Sequence, residues 1–318
     1  MNPSTQPARL LPLPHLHRGK VRDLYQLDQT TMLMVASDRI SAYDVVLPTP
    51  VPGKGAMLAA ISTHWFQLAS ALPNPMRTHH IARLADHPPA LQALRQKGLS
   101  ELQIAELATR TTVCVRAAIV PVECVVRGYL AGSLWADYTT SRQSHAADLP
   151  PGLAQAARLP EPIFTPTTKA PVGQHDLPLS FPQTVNQLGT ELATGLRDAS
   201  ISLYLFAAEH AQRAGLILAD TKFEFGLAPE GSLMLCDELL TPDSSRYWDA
   251  AQWRPGAEPP SFDKQFVRDY LQNLVRLGRW NRQPPGPELP ADIVRGTLER
   301  YREAARRLGA DPPDNPLP

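Results

Sequence analysis

The segment Leu216-Ile217-Leu218-Ala219-Asp220-Thr221-Lys222-Phe223-Glu224-Phe225-Gly226 constrains this chain more than any other. It opens as a continuous apolar run, the pattern of a buried strand, and then changes to alternation. Side chains on a strand point to opposite faces with a period of two. Asp220, Lys222 and Glu224 therefore share one face, while Phe223 and Phe225 share the other. Three ionisable groups in a row beside a buried strand are costly to desolvate unless each finds a partner.

The turn Pro229-Glu230-Gly231-Ser232 and the apolar residues from Leu233 onward supply a hairpin partner. A four-residue loop pairs Ala228 with Leu233, which sets Phe225 opposite Cys236 and Glu224 opposite Asp237. Two carboxylates across a ladder repel each other. A hard divalent cation removes that repulsion, and Mg²⁺ is commonly held by one or two carboxylates plus substrate phosphates. Two readings fit the spacing: a solvated hairpin face that needs no ligand, and a metal–nucleotide site at Glu224 and Asp237. A one-residue slip of register undoes the pairing.

The chain has 318 residues, enough for one large domain or two lobes. Lysine plus arginine balances aspartate plus glutamate, 31 against 31, so no global field favours nucleic acid or an anionic membrane. Cys114, Cys124 and Cys236 lie far apart with no C-x-x-C pair, which supports neither a disulfide framework nor a zinc site. A reducing cytoplasm is the natural expectation. The first residues lack the apolar core of a secretory signal, and no apolar run approaches the roughly 18 residues of a membrane span. The 33 prolines cluster in pairs such as Pro150-Pro151 and Pro284-Pro285, which read as rigid connections.

Along the chain, residues 19–25 and 32–37 read as strands of a hairpin around Leu27-Asp28-Gln29-Thr30. Leu58, Ile61, Trp65 and Leu68 predict a helix over residues 55–69. Residues 112–126 are strand-like, and 141–162 read as a polar, proline-bounded connection. A helix over 201–214 is closed by Gly215, and a last helix carries Val294, Leu298, Tyr301, Ala305 and Leu308 on one stripe before Gly309. The mixture predicts an α+β fold, with a β-rich N-terminal lobe over residues 1–118. A larger mixed α/β lobe follows over 119–318 and includes the C-terminal helices.

Four other segments carry chemistry-bearing residues, each with a structural alternative. In Arg18-Gly19-Lys20-Val21-Arg22-Asp23, Gly19 lets the backbone approach a phosphate, and Lys20 and Arg22 share one strand face. The segment is not a Walker A loop, and it also reads as a solvated basic strand. Ser37, Asp38, Arg39, Ser41 and Asp44 can order a ligand's polar ends or form a cap and turn network. In the segment from Glu123 to Ser133, Arg127 ends a strand and a glycine-bracketed turn delivers Ser133, a phosphate-ester grip. Its alternative is a Glu123–Arg127 salt bridge. Ser244, Ser245 and Arg246 repeat the Ser/Arg theme beyond Asp237. Phe164-Thr165-Pro166-Thr167-Thr168-Lys169-Ala170 lines a site or forms a plain loop.

With these residues assembled, the chain resembles the SAICAR synthetases, the phosphoribosylaminoimidazole-succinocarboxamide synthases. The resemblance spans residues 18–268 through GKVRDLY, ASDRISAYD, VPGKGAML, VECVVRGYLAGS, FTPTTKA, GLILADTKFEFG, CDELLTPDSSRYW and SFDKQFVRDYL in order. It implies a ligase of purine biosynthesis that joins L-aspartate to 5-aminoimidazole-4-carboxylate ribotide, with ATP and Mg²⁺, through an acyl phosphate. It also implies a kinase-like or ATP-grasp-like fold with an ATP cleft between its lobes. Gly19, Lys20, Val21 and Arg22 match the phosphate-covering strand, and Glu123 the nucleotide site. Arg127, Ser133, Ser245 and Arg246 match ribotide ligands, with Lys222 and Asp220 at the catalytic centre. Glu224 and Asp237 match the Mg²⁺ ligands, and Lys264 and Arg268 positions near substrate carboxylates; the loop from Ser37 to Asp44 is a further candidate for the aspartate pocket. The partners expected are these small molecules, with no nucleic acid and no membrane, on a monomer or small homo-oligomer.

Two positions depart from the family pattern: Leu134-Trp135-Ala136 stands where Gly-Trp-Lys is common, and Pro171 where an acidic residue is common. Two other function classes remain open on sequence alone. A small-molecule kinase would share the nucleotide residues, and an inert nucleotide-binding scaffold would bind without turnover.

Overall fold

The structure, a computed structural model, describes residues 11–140, 149–169 and 176–310. It begins with β1 (His15–Arg18), β2 (Arg22–Gln26), β3 (Thr31–Ala36), β4 (Ser41–Ala42), β5 (Val45–Val46) and α1 (Lys54–Ser70). There follow β6 (His80–Arg83), α2 (Pro88–Gln96), α3 (Glu101–Ala108), β7 (Thr111–Val115), β8 (Ala118–Ile119), β9 (Val122–Tyr129) and α4 (Gly132–Thr140). Next come β10 (Arg158–Phe164), β11 (Thr167–Thr168), α5 (Phe181–Leu188) and α6 (Thr190–Arg213). The chain closes with β12 (Leu216–Leu227), β13 (Leu233–Cys236), β14 (Ser245–Asp249), α7 (Gln265–Arg276) and α8 (Ala291–Leu308). The mixed α/β character follows the expectation from sequence.

Two compact units form. One takes the described residues up to Ala117 together with those from Lys264 onward, and the other is Ala118–Asp263. The linear division near residue 118 left the C-terminal helices with the second part, whereas their packing joins them to the first. Val267, Leu271 and Leu274 of α7 share an apolar cluster with Ile40, Val45, Leu47 and Val51, and α8 packs on α1. An amphipathic stripe announces that a helix will be buried, but not against which partner.

In the first unit the sheet runs β1-β2-β3-β7-β6, all antiparallel. Tyr25, Leu33, Val35 and Val113 from its strands close over α2 and α3. The β2–β3 hairpin forms as expected, with Gln26 opposite Met32. Gly55 lies so close to the sheet that a Cβ would meet the Ala36 carbonyl oxygen at 2.9 Å. Asp38 accepts from the Gly53 and Gly55 amides at 3.1 and 2.9 Å, capping α1. The strand-like stretch 112–126 is divided among three strands, β7 in the first sheet and β8 and β9 in another.

His80 stacks on Phe66 with ring centroids 5.1 Å apart and lies 3.3 Å from the Thr63 hydroxyl. Burial lowers its pKa from 6.5 to about 4. The fold therefore favours the neutral ring, and the unfolded chain takes the proton first as pH falls. This contribution is complete above pH 6.5 and drains away between about 6.5 and about 4. Denaturation near pH 5 is expected to show wild type losing up to about 2 kcal/mol more than His80→Gln relative to neutral pH. Equal losses in both proteins contradict this.

In the second unit β12 is the hub. The sheet runs β10-β9-β12-β13, with β8 and β14 also on β12 and β11 on β9. Tyr204 of α6 donates to the Leu218 carbonyl at 2.7 Å, and α6 packs on β9, β10 and β12. Gly128 accommodates this helix, since a Cβ there would overlap the Tyr204 hydroxyl at 2.0 Å. α6 starts well before residue 201 because its first turns face inward with the small residues Ala193 and Ser200 alongside Leu196. The connection expected over 141–162 contains the start of β10, whose Pro160 and Pro162 are tolerated because it is an edge strand. Residues 141–148 of that stretch lie outside the described residues. No described helix is long and apolar enough to cross a membrane.

Candidate active site

Alternation along β9 buries Val122, Cys124 and Val126 and leaves Glu123, Val125, Arg127 and Tyr129 on the other face. β12 runs antiparallel beside it, with Asp220 opposite Arg127 and Phe223 opposite Cys124. Continuing that register brings Glu224 beside Glu123, so Asp220, Lys222 and Glu224 rise on the face that carries Glu123 and Arg127. On the other side of β12, Arg246 of β14 lies opposite Asp220. Two charged groups result, one at each end of this face.

The first group is centred on Asp220. Arg127 Nη1 approaches Asp220 Oδ2 at 3.2 Å, and Arg246 Nη1 donates to the same oxygen. Arg127 also donates from Nη2 to Ser133 Oγ at 3.2 Å and from Nε to Thr165 Oγ1 at 3.0 Å. Ser133 is in the first turn of α4, which opens at Gly132 with φ +57°. A Cβ on Gly132 would meet Arg246 Nη2 at 2.7 Å, so the guanidinium lies against bare backbone. Two cations share one carboxylate beside a helix N-terminus and a hydroxyl, which is an excess of positive charge and donors suited to a phosphate. Among the described residues, Arg246 Nε is buried with no hydrogen-bond partner. Burial lowers the Arg127 pKa against the pull of Asp220; for Arg246 burial acts the same way but Asp220, Asp263 and Glu258 outweigh it and raise the pKa.

The second group is centred on Lys222. Its ammonium lies 2.6 Å from Glu123 and 3.5 Å from Glu224, and Lys169 pairs with Glu224 from the loop after β11. Burial works to lower the Lys222 pKa, but Glu224, Glu123 and Asp237 outweigh it and the pKa rises. Lys222 is a fixed cation. Burial raises the Glu123 carboxyl despite Lys222. The Cys236 thiol is pushed up to about 12 by burial, then by Asp237 and Glu224.

The hairpin register differs from the count made on the sequence. Glu224 lies opposite Cys236 and Phe225 opposite Leu235, so Glu224 and Asp237 are not a cross-strand pair. The connection has five residues, 228–232, closed by Ala228 N–H to the Ser232 carbonyl at 2.9 Å with Gly231 at φ +86°. That extra residue slips every pair by one. Asp237 stands just past β13 with φ +61°, a left-handed conformation uncommon outside glycine, asparagine and aspartate. Glu224 and Asp237 nevertheless act on the same Lys222 ammonium and the same Cys236 thiol. Among the described residues no cluster of three or more metal-ligating side chains occurs. Two carboxylates without further protein ligands fit Mg²⁺ carried in on a polyphosphate better than an all-protein metal cage.

The remaining candidates are spread over both units. Gly19, Lys20 and Val21 form the tight connection between β1 and β2 rather than part of a strand, with Gly19 N–H donating to the Arg22 carbonyl at 2.8 Å. Lys20 and Arg22 thus do not share a strand face. Arg39 braces this turn by donating to the Lys20 and Gly19 carbonyls at 3.0 and 3.2 Å, and Lys20 pairs with Asp44. Within the loop from Ser37 to Asp44, Ser37, Asp38 and Arg39 serve the cap and turn network. Lys264 and Arg268 stand one turn apart at the start of α7, in the first unit. Ser245 lies on the opposite face of the sheet from Arg246, its hydroxyl 2.8 Å from Thr221 in a buried pair.

Glu123 and Arg127 do not form the salt bridge weighed above, since each finds its partner on β12. Thr165 and Lys169, unassigned on sequence, reach Arg127 and Glu224; only their place in a hydroxyl-rich segment signalled them. Leu134 and Trp135 pack into an apolar cluster with Leu130, Leu149 and Leu159, which accommodates that departure from the family pattern. Ala170 and Pro171 lie outside the described residues.

The sequence profile of the SAICAR synthetases matches residues 15–285. The phosphoribosylaminoimidazole-succinocarboxamide synthase of Thioalkalivibrio sulfidiphilus (strain HL-EbGR7) is 51% identical over 302 residues, covering 95% of this chain and 96% of its own. The chain belongs to the SAICAR synthetase family. Its relative of the same name from Halorhodospira halophila (strain DSM 244 / SL1) is 48% identical over 298 residues, with 93% and 95% covered. Among solved structures, the Saccharomyces cerevisiae SAICAR synthase complexed with SAICAR superposes with a TM-score of 0.84 at 35% identity, covering 98% of this chain and 99% of that one. Every candidate residue from Gly19 to Arg268 falls inside the stretch matched to the SAICAR synthetases, while α8 lies beyond it.

Proposed function

We propose that this SAICAR synthetase condenses 5-aminoimidazole-4-carboxylate ribotide with L-aspartate, converting ATP to ADP and phosphate. The observation that carries the reading is the continuous face of β9 and β12. A double-arginine anion grip around Asp220 adjoins a lysine held among carboxylates. A ribotide offers a phosphate at one end and a ring carboxylate at the other, and this face offers a fitting site for each.

A carboxylate is a poor acylating group. Transfer of the ATP γ-phosphoryl to the ring carboxylate gives an acyl phosphate, and the aspartate amine then attacks the carbonyl and expels phosphate. Arg127, Ser133, Arg246 and the first turn of α4 grip the ribotide phosphate, while Asp220 aligns both guanidinium groups. Lys222, held charged by its acidic neighbours, faces the negative charge that builds during phosphoryl transfer. Glu123 contributes to the nucleotide site, and the Gly19–Arg22 connection presents Lys20 to the nucleotide phosphates. Glu224 and Asp237 would hold Mg²⁺, which would supply neutralisation of phosphate charge when bound. Lys264 and Arg268 meet substrate carboxylates, and Ser245 supports the strand that carries Arg246. The three cysteines are free and buried, in keeping with a cytoplasmic enzyme.

The test is an assay of the purified protein with the ribotide, ATP and Mg²⁺, with and without aspartate. Amide product and ADP are expected in equal amounts, both dependent on aspartate. ADP release without amide favours a kinase, and nucleotide binding without turnover favours a scaffold. Lys20→Ala is expected to raise the KM for ATP by about tenfold, measured at saturating ribotide; an unchanged KM removes Lys20 from the nucleotide site.

A further inference from the structure

We propose that Thr165 is a positioning residue for recognition of the ribotide phosphate, acting through Arg127. The inference rests on the reading of Arg127 as a phosphate ligand. Thr165 follows β10 directly, and its backbone N–H donates to the Val125 carbonyl at 2.8 Å, which fixes it against β9. It is 1% exposed, so its hydroxyl competes with no solvent. That hydroxyl points its proton toward the Val125 carbonyl at 3.4 Å and accepts from Arg127 Nε at 3.0 Å.

Arg127 is thereby held on three sides: Nε on Thr165, Nη1 on Asp220 and Nη2 on Ser133. A guanidinium is a rigid planar fork, so fixing Nε fixes the direction in which its other N–H groups point. Asp220 is shared with Arg246, and Ser133 is itself a donor for the phosphate. Thr165 is the partner that does neither. Without its oxygen the fork keeps its charge but loses the contact that sets its plane.

The experiment uses the full chain and three variants, Thr165→Val, Thr165→Ser and Arg127→Ala. Calorimetry compares dissociation constants for the ribotide and for its phosphate-free nucleoside. Steady-state kinetics supply KM and kcat. Thr165→Val is expected to weaken ribotide binding about five- to tenfold, with nucleoside affinity unchanged. The ribotide KM rises in step while kcat stays within about twofold, and Thr165→Ser restores both. Should Thr165→Val not fold, Thr165→Ala is read in the same way. Equal weakening of ribotide and nucleoside, or no weakening, overturns the positioning role. If Arg127→Ala keeps the full preference for the phosphorylated ligand, the underlying phosphate reading fails as well. If Arg127→Ala abolishes that preference and Thr165→Val leaves it intact, only the inference about Thr165 falls.

Discussion

Replacing Glu224 with glutamine is expected to lower kcat by about a hundredfold to a thousandfold and to raise the Mg²⁺ concentration needed for half-maximal rate. The substitution keeps shape but removes the charge that faces Lys169 and Lys222 and turns one acceptor oxygen into a donor. With that charge gone, one of two carboxylates fitted to a divalent ion is lost and two lysines lose a common counter-ion. Asp237→Asn is expected to act in the same direction, because Asp237 bears on the same Lys222 ammonium. A Mg²⁺ titration of turnover checks both variants. Near-wild-type rates in both at limiting Mg²⁺ contradict the assignment.

Asp220→Asn is expected to cost about 3–5 kcal/mol of stability, the usual penalty for leaving a buried charge uncompensated. Arg127 and Arg246 both depend on Asp220 Oδ2 and already repel each other. Denaturant unfolding measures the loss. A bound phosphate supplies the missing negative charge, so the ribotide should stabilise the folded variant more than a nucleoside does. A stability change below about 1 kcal/mol means that the two arginines do not rely on this carboxylate.

The second-unit strands and the charged faces were legible because period-two alternation is strong there. Asp220, Lys222 and Glu224 alternate with Phe223 and Phe225, and the structure keeps them on one face with the phenylalanines buried. The acidic pair was placed on the wrong ladder position. Whether a hairpin loop holds four residues or five depends on the backbone angle of Gly231, which composition does not reveal. Two carboxylates do come together, but from β9 and β12, where Glu123 and Glu224 both reach the Lys222 ammonium. That pairing spans about a hundred residues of sequence and has no local signal.

Arg127, Ser133 and Arg246 stood out as cations and hydroxyls in glycine-bracketed or proline-bracketed turns. Thr165 and Lys169 had only an ambiguous loop to announce them, since their partners lie on other strands. Ser245 looked equivalent to Ser133, yet alternation on β14 turns its hydroxyl to Thr221 on the far face. α8 displayed a clear stripe, but the assignment of α7 and α8 to the first unit depended on surfaces near Ile40 and along α1.

The most direct test is a crystal structure of the protein with the ribotide, Mg²⁺ and a non-hydrolysable ATP analogue. The ribotide phosphate is predicted within hydrogen-bond distance of Arg127, Ser133 and Arg246, with the metal coordinated by Glu224 and Asp237 and bridged to the nucleotide. A ribotide bound elsewhere, with those two acids turned to bulk water, contradicts the account.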